Sequence, residues 1–240
     1  MSNYAYAIAD SVFAQFPGYV RGVVLAHDVT NGPAPAGVQE LLRAAEADLR
    51  AQIDATTIAE HPRIRCWREA FRAFGAKPSE FRSSIEGMAR RVTRGDALPT
   101  INTLVDIGNI VSLRRLLPAG AHAMDALTAD LWLRHATGAE TFTPLDGDAV
   151  EHPLPGEVIF AEGNQALTRR WVWRQGAATL VVPATTAVEF NVDGLPPATP
   201  AEVAAACQEI AGLVERFCGG RTRWEILSAD HPRMSLRPAA

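Results

Sequence analysis

Asn102, Asp106 and Asn109 recur at i, i+4 and i+7 within Ile101-Asn102-Thr103-Leu104-Val105-Asp106-Ile107-Gly108-Asn109-Ile110-Val111, whose other residues are mostly apolar. On a helix these three make one polar stripe in an otherwise buried surface. Burying such groups unpaired costs roughly 1–3 kcal/mol each, so the stripe is either an internal hydrogen-bonded network or the wall of a polar pocket. Gly108 lowers helix stability by about 1 kcal/mol relative to alanine and lets a backbone or a ligand approach. In Ala187-Val188-Glu189-Phe190-Asn191-Val192-Asp193 the alternation places Glu189, Asn191 and Asp193 on one side of a strand and Val188, Phe190 and Val192 on the other. Arg169-Arg170-Trp171-Val172-Trp173-Arg174-Gln175, read as a strand, puts Trp171, Trp173 and Gln175 on one face and Arg170 and Arg174 on the other. That layout either stacks a base or an aromatic amino acid beside phosphate-binding cations, or is core tryptophan backed by solvated arginine.

Between His61 and Arg94 nine Lys or Arg stand against three acids, Glu69, Glu80 and Glu86, in a chain whose formal net charge is −4. A local basic face of this kind attracts backbone phosphates whatever the total charge, although the same count describes a solvated helical surface. Cys66, Cys207 and Cys218 form no close pair, and the histidines show neither HxxxH nor HExxH spacing, so no disulfide framework, zinc cluster or other metal site is indicated. Ser83 and Ser84 lack a GxSxG elbow, and no GxxxxGK[ST] or GxGxxG loop offers a nucleotide site. No organic cofactor is implied. No apolar run reaches the roughly 18 residues of a membrane span, and Met1-Ser2-Asn3-Tyr4 lacks a secretory pattern, so a cytoplasmic protein is expected.

These residues need elements to hold them. A β-branched run over 19–26 reads as a strand closed by Asp28 and Asn31-Gly32-Pro33, and Val38, Leu42, Ala45, Leu49 and Ile53 mark an amphipathic helix. Further helices are predicted over 60–74, over 79–94 with Ser79 as N-cap, from 98 to 116, and over 200–218. Short β-type runs over 128–135, 157–161, 167–175, 179–182 and 187–192 are separated by turns that include Leu145-Asp146-Gly147-Asp148, and a last strand covers 223–227. The 240 residues are taken as one domain of the α+β class, with a mostly antiparallel, barrel-like sheet packed against a layer of helices.

Leu98-Pro99, the run Asn102 to Val111, Leu117-Pro118 and His122-Ala123-Met124-Asp125 together resemble the tRNA-binding and editing domain of the phenylalanyl-tRNA synthetase beta subunit, and Pro78 to Glu86 resembles the P-x-x-x-R-x-S-x-E segment of its free-standing members. The likeness runs from about Trp67 to Asp193. It implies a pocket that accepts the aminoacylated 3′ end of a tRNA and hydrolyses the ester of a wrong amino acid, tyrosine in place of phenylalanine. On that implication His122 and Asn109 are catalytic, and Asn102, Asp106, Gly108, Trp173, Glu189 and Asn191 line the substrate pocket. Lys77, Arg82, Arg90, Arg91, Arg169 and Arg170 meet RNA phosphates. Gly108 stands where the family commonly has a hydroxyl residue, and the glutamate that reads the tyrosine hydroxyl falls on Asn191, two residues beyond Glu189. The expected partner is tRNA. A non-catalytic module binding tRNA or a synthetase, and a binder of a small amino-acid-like ligand, are the alternatives.

Overall fold

The computed structural model describes residues 4–145, 147 and 149–237; Met1 to Asn3, and Asp146 and Asp148 of the expected 145–148 turn, lie outside the described residues. Its elements are β1 (Ala5–Ile8), α1 (Asp10–Gln15), β2 (Val20–His27), α2 (Ala36–Gln52), α3 (Pro62–Ala73), α4 (Ser84–Thr93), α5 (Thr103–Arg115), β3 (Ala119–Ala123), β4 (Leu131–His135), β5 (Val158–Glu162), β6 (Gln165–Arg169), β7 (Arg174–Gln175), β8 (Ala187–Gly194), α6 (Pro200–Cys218), β9 (Arg221–Leu227) and β10 (Arg233–Ser235).

Helix ends follow their caps. Thr199 and Glu202 close a capping box on α6 with Pro200 in its first turn, which is why this helix starts where the sequence places it. The helix expected over 79–94 begins only at Ser84, because Ser83 rather than Ser79 accepts from the Glu86 amide at 3.3 Å. Asn102 likewise caps α5, accepting from the Val105 amide at 3.1 Å.

The strands form two open sheets rather than a barrel. One has the order β10-β1-β4-β5-β6-β7 and the other β3-β8-β2-β9. Pairing is antiparallel except between β1 and β4. The strand expected over 167–175 is interrupted by a turn, and the one expected over 179–182 follows a short 3-10 turn at Ala177–Thr179 without joining either sheet.

Burial gives the layer order. Tyr6, Leu133, Phe160 and Leu167 of the six-stranded sheet pack against Val23, Leu25 and Leu227 of the four-stranded one. The other face of the four-stranded sheet, Val24, Val188, Phe190 and Val192, packs on Leu104, Ile107 and Val111 of α5 and on Val203, Cys207 and Ile210 of α6. Helices α2 and α4 cover α5 from outside. Close approach of α6 depends on Gly22, where a Cβ would lie 2.2 Å from the Cys207 sulfur. No helix among the described residues is long and apolar enough to cross a membrane.

Candidate functional site

Strand β8 carries the alternation expected of it, with an unexpected destination for its polar side. Val188, Phe190 and Val192 face the helices, so Glu189, Asn191 and Asp193 point into the seam between the sheets, each at most 7% exposed. Their neighbours follow from register: Glu189 opposes His122 of β3 and Leu25 of β2, Asn191 opposes Gly120 and Val23, and Asp193 opposes Arg21.

The seam is organised on Asp193. Arg21 donates to it from Nε at 2.8 Å and Nη2 at 3.0 Å, Tyr19 from its hydroxyl at 2.5 Å, Trp171 from Nε1 at 3.2 Å and Asn191 from Nδ2 at 2.9 Å. The third arm of Arg21, Nη1, reaches the Tyr6 hydroxyl at 2.7 Å. A guanidinium this deeply buried persists because its partners are charged and geometrically matched. Desolvation opposes its charge, but Asp193 and the two tyrosines hold its pKa above the usual arginine value.

Glu189 has no such partner. It is fully buried, neither carboxyl oxygen has a hydrogen-bond partner of good geometry, and burial pushes its pKa up to about 8 against the opposing pull of Arg21 and the Tyr6 hydroxyl. The acid is therefore mostly protonated at neutral pH.

His122 is held from both sides. Its Nδ1 lies 2.6 Å from the Thr179 hydroxyl and its Nε2 3.2 Å from that of Thr168, while the ring packs 5.0 Å from Phe160. Burial, aided by the Arg21 charge, lowers its pKa to about 3. The imidazole is thus neutral throughout the physiological range, one nitrogen a donor and the other an acceptor. It is a fixed hydrogen-bonding group and a weak base.

Beside it opens a cavity of about 110 Å³ lined by Pro118, Ala119, Gly120, His122, Thr168, Trp171, Val172, Trp173, Arg174, Gln175, Asn191 and Ser84. Asn191 borders this cavity, donates its amide nitrogen to Asp193 and keeps Oδ1 enclosed and without a partner. Gly120 makes the room: a Cβ there would lie 2.9 Å from that oxygen. Gln175 braces the far wall, donating to the Ala121 and Thr179 carbonyls at 2.9 and 3.1 Å.

Of the residues singled out from sequence, the cavity gathers His122, Trp173 and Asn191, with Glu189 buried behind them. It does not gather the α5 stripe. That helix lies on the opposite face of the sheet, so a Cβ at Gly108 would meet the Phe190 ring at 3.7 Å and not a ligand. Asn102 caps the helix and donates to the Val181 carbonyl at 2.9 Å, Asp106 accepts from the Ile101 amide at 3.1 Å, and half-buried Asn109 is on neither the cavity nor the seam. Of the two readings of this stripe, Asn102 and Asp106 follow the structural one.

The cations divide similarly. Arg169, expected at a phosphate surface, is buried and donates to Glu157 at 3.0 and 2.9 Å and to Glu151 at 2.5 Å. Arg170 is also buried, with its guanidinium 3.6 Å from the centre of the Phe81 ring and 4.4 Å from that of Trp173. Both are therefore spent within the fold, because β6 ends at Arg169 and the chain turns through positive φ at Arg170 and Trp171. Left-handed backbone at two non-glycine residues is unfavourable by about 1–3 kcal/mol each, and the Trp171 packing against Tyr19, Trp67 and Phe16 over-determines it.

The segment 77–94 is different. Buried Glu86 is shared by Arg68 at 2.7 Å, Arg90 at 2.9 Å and Arg82 at 4.0 Å, leaving positive charge in excess. Lys77 is exposed and reaches Glu80 at 3.3 Å, Arg91 is exposed and donates to the Ala97 carbonyl, and Arg72 and Arg94 make no ion pair among the described residues. A cavity of about 390 Å³ opens among Arg68, Arg72, Lys77 and Ser79. This basic flank abuts the other cavity directly: Phe81 packs edge-on against Trp173 with ring centres 5.0 Å apart, and the Ser84 amide donates to the Val172 carbonyl at 2.7 Å.

Sequence reasoning missed Thr168, Thr179 and Gly120, which carry no signal of their own, and placed Gln175 only as a face-mate of Trp171 and Trp173. It also missed the role of Arg21, whose signal was present: a lone charge inside a β-branched run.

The profile of the B3/4 domain matches residues 66–219, more than half of the chain. No curated protein matches it in sequence. Among solved structures, an N-terminal fragment of the phenylalanyl-tRNA synthetase beta subunit from Pyrococcus horikoshii is similar at a TM-score of 0.48 and 11% identity, over 92% of this chain and 51% of that one. The present chain therefore spans about half the length of that one.

Proposed function

Because the chain belongs to the B3/4 domain family, we propose that it binds tRNA and hydrolyses the ester of a mischarged aminoacyl-tRNA in trans, within the cytoplasm. The observation that carries this reading is the adjacency of two unlike surfaces. A basic flank at 77–94 suits the phosphate backbone, and it meets, across Phe81 and Trp173, a small cavity of mixed apolar and polar lining suited to the amino-acid end.

Within the cavity the residues act by position. A water held by the Thr168 hydroxyl, in the cavity that Asn191 borders, attacks the ester carbonyl; the carbonyl-to-ribose bond breaks and one proton of the water passes to the departing ribose oxygen. His122, neutral and fixed by two threonines, orients Thr168 and does not need to titrate. Lys77, Arg82, Arg90 and Arg91 approach the backbone, whereas Arg169 and Arg170 support the turn that carries Trp173.

The test is a deacylation screen over a panel of mischarged tRNAs, paired with tRNA binding at several salt concentrations. Ester loss that requires Asn191 and Thr168 is the expected result. Replacing Lys77, Arg82 and Arg91 by alanine should lower the slope of log affinity against log salt by about 0.7–0.9 per phosphate contact removed. One observation favours a second reading, binding without turnover: both nitrogens of His122 are already engaged and its pKa of about 3 leaves no strong base beside the cavity. Salt-dependent retention of every mischarged tRNA, with all esters intact at protein excess, selects that reading.

A further inference from the structure

The two sheets end in four edge strands, β7 and β10 on one and β3 and β9 on the other. Strands β7 and β10 have only two and three residues, and the five-residue β3 has its Ala121 carbonyl taken by the Gln175 side chain at 2.9 Å. Strand β9 differs from all three. Its seven residues pair with β2 along one side, and among the described residues no hydrogen bond reaches their backbone from the other.

An unpaired edge of this length is a template for a further strand. Proline, a bulge or a covering segment closes such an edge in many folds, and β9 has none of them. Residues 221–227 include no proline and keep an unbroken register against β2. The chain that follows touches β9 through the side chains of Arg223 and Glu225, by way of Ser235, Arg237 and His231. We propose that β9 pairs antiparallel with β9 of a second copy of this chain, joining two four-stranded sheets into one continuous sheet.

The occupant follows from the charges. Arg223 and Glu225 flank Trp224, so an antiparallel pair centred on Trp224 sets Arg223 of each copy opposite Glu225 of the other. Centring the pair on Arg223 or on Glu225 sets like charge against like instead, which disfavours those registers. The Arg223–Glu225 ion pair within each strand, at 2.8 Å, becomes one side of a ring of four alternating charges. On the face that packs against α6, Trp224 meets its own copy and Thr222 meets Ile226. The cavity beside His122 is lined by β3, at the opposite edge of the sheet, so pairing through β9 leaves one cavity at each outer end.

The experiment uses the full chain. Sedimentation equilibrium should show reversible monomer and dimer between about 1 and 100 µM protein. Across that range, hydrogen exchange of the 221–227 amides should slow at least about fivefold while exchange in α2 stays constant. Glu225→Arg and Arg223→Glu should each weaken self-association at least about tenfold, because each sets like charges across both pairs. Mixed in equal amounts, the two variants should associate at least about tenfold more tightly than either alone, a recovery that a folding defect in either one cannot produce. A chain that stays monomeric with unchanged β9 exchange overturns the proposal. So does a dimer that both single variants form as the wild type does, or one that mixing fails to restore. Protection of β9 by an added peptide of the 221–227 sequence, in a chain that itself stays monomeric, assigns the edge to a foreign strand and overturns the pairing of copies.

Discussion

Asp193→Ala is expected to destabilise the protein by about 3–5 kcal/mol, the range found when one member of a buried ion pair is removed and its partner stays behind. The substitution takes away the acceptor of both Arg21 bonds and of the Tyr19, Trp171 and Asn191 donors. The guanidinium is then left in the seam with the Tyr6 and Tyr19 hydroxyls alone, in surroundings that no longer oppose the desolvation of its charge. Arg21→Met combined with Asp193→Leu should recover most of the loss, since neither charge remains to be desolvated. Urea unfolding of the three proteins measures both effects. A loss of less than about 1 kcal/mol in the single variant would mean that water reaches the seam and that its polar groups are not held as described.

The second large effect is a pH dependence with opposite contributions from facing residues. Glu189 has a folded pKa of about 8 against 4.5 in the free chain, so its contribution to stability is fully present below pH 4.5 and is lost as pH rises through 8. His122, at about 3 against 6.5, contributes stability that is present above pH 6.5 and is lost as pH falls through 3. Between pH 4.5 and 6.5 the two slopes oppose each other. From 6.5 to 8 only the glutamate acts, and at about 1.4 kcal/mol per pH unit the wild type should lose about 2 kcal/mol that Glu189→Gln does not lose. Unfolding free energies measured across this range for both proteins decide the matter. Parallel curves would show that the carboxyl reaches a solvating partner in solution.

Much of this architecture was legible in the residues. The helix read over 200–218 from the spacing of Val203, Cys207, Ile210 and Val214 coincides with α6 at both ends, where the structure adds a Thr199 cap and a Gly219 stop that agree with it. The alternation of β8 assigned its two faces for the same reason. What could not be read was which face of the sheet the cavity occupies, since periodicity separates the sides of an element without saying what covers each. The Asn102-Asp106-Asn109 stripe therefore resembled a pocket wall as much as the cap and internal hydrogen bonds that Asn102 and Asp106 provide. Arg170 and Trp171 hid their turn more completely: positive φ at non-glycine residues leaves no local mark, and tertiary packing of the indole enforces it. Ser79 and Ser83 compete as caps for one helix, and contacts of the intervening Phe81 with Arg170 and Trp173 accompany the later start. The four-residue strand β1 is too short for an alternation pattern to distinguish it from coil.

The most direct examination of the site is by nuclear magnetic resonance on protein labelled with 15N in the histidine rings and asparagine side chains, titrated with a minihelix in charged, non-hydrolysable form and in uncharged form. The charged RNA should move the His122 ring and Asn191 amide resonances while the uncharged RNA, bound through the basic flank alone, leaves them in place. Identical responses to the two RNAs, with both resonances unmoved, would contradict the assignment of this cavity to the amino-acid end.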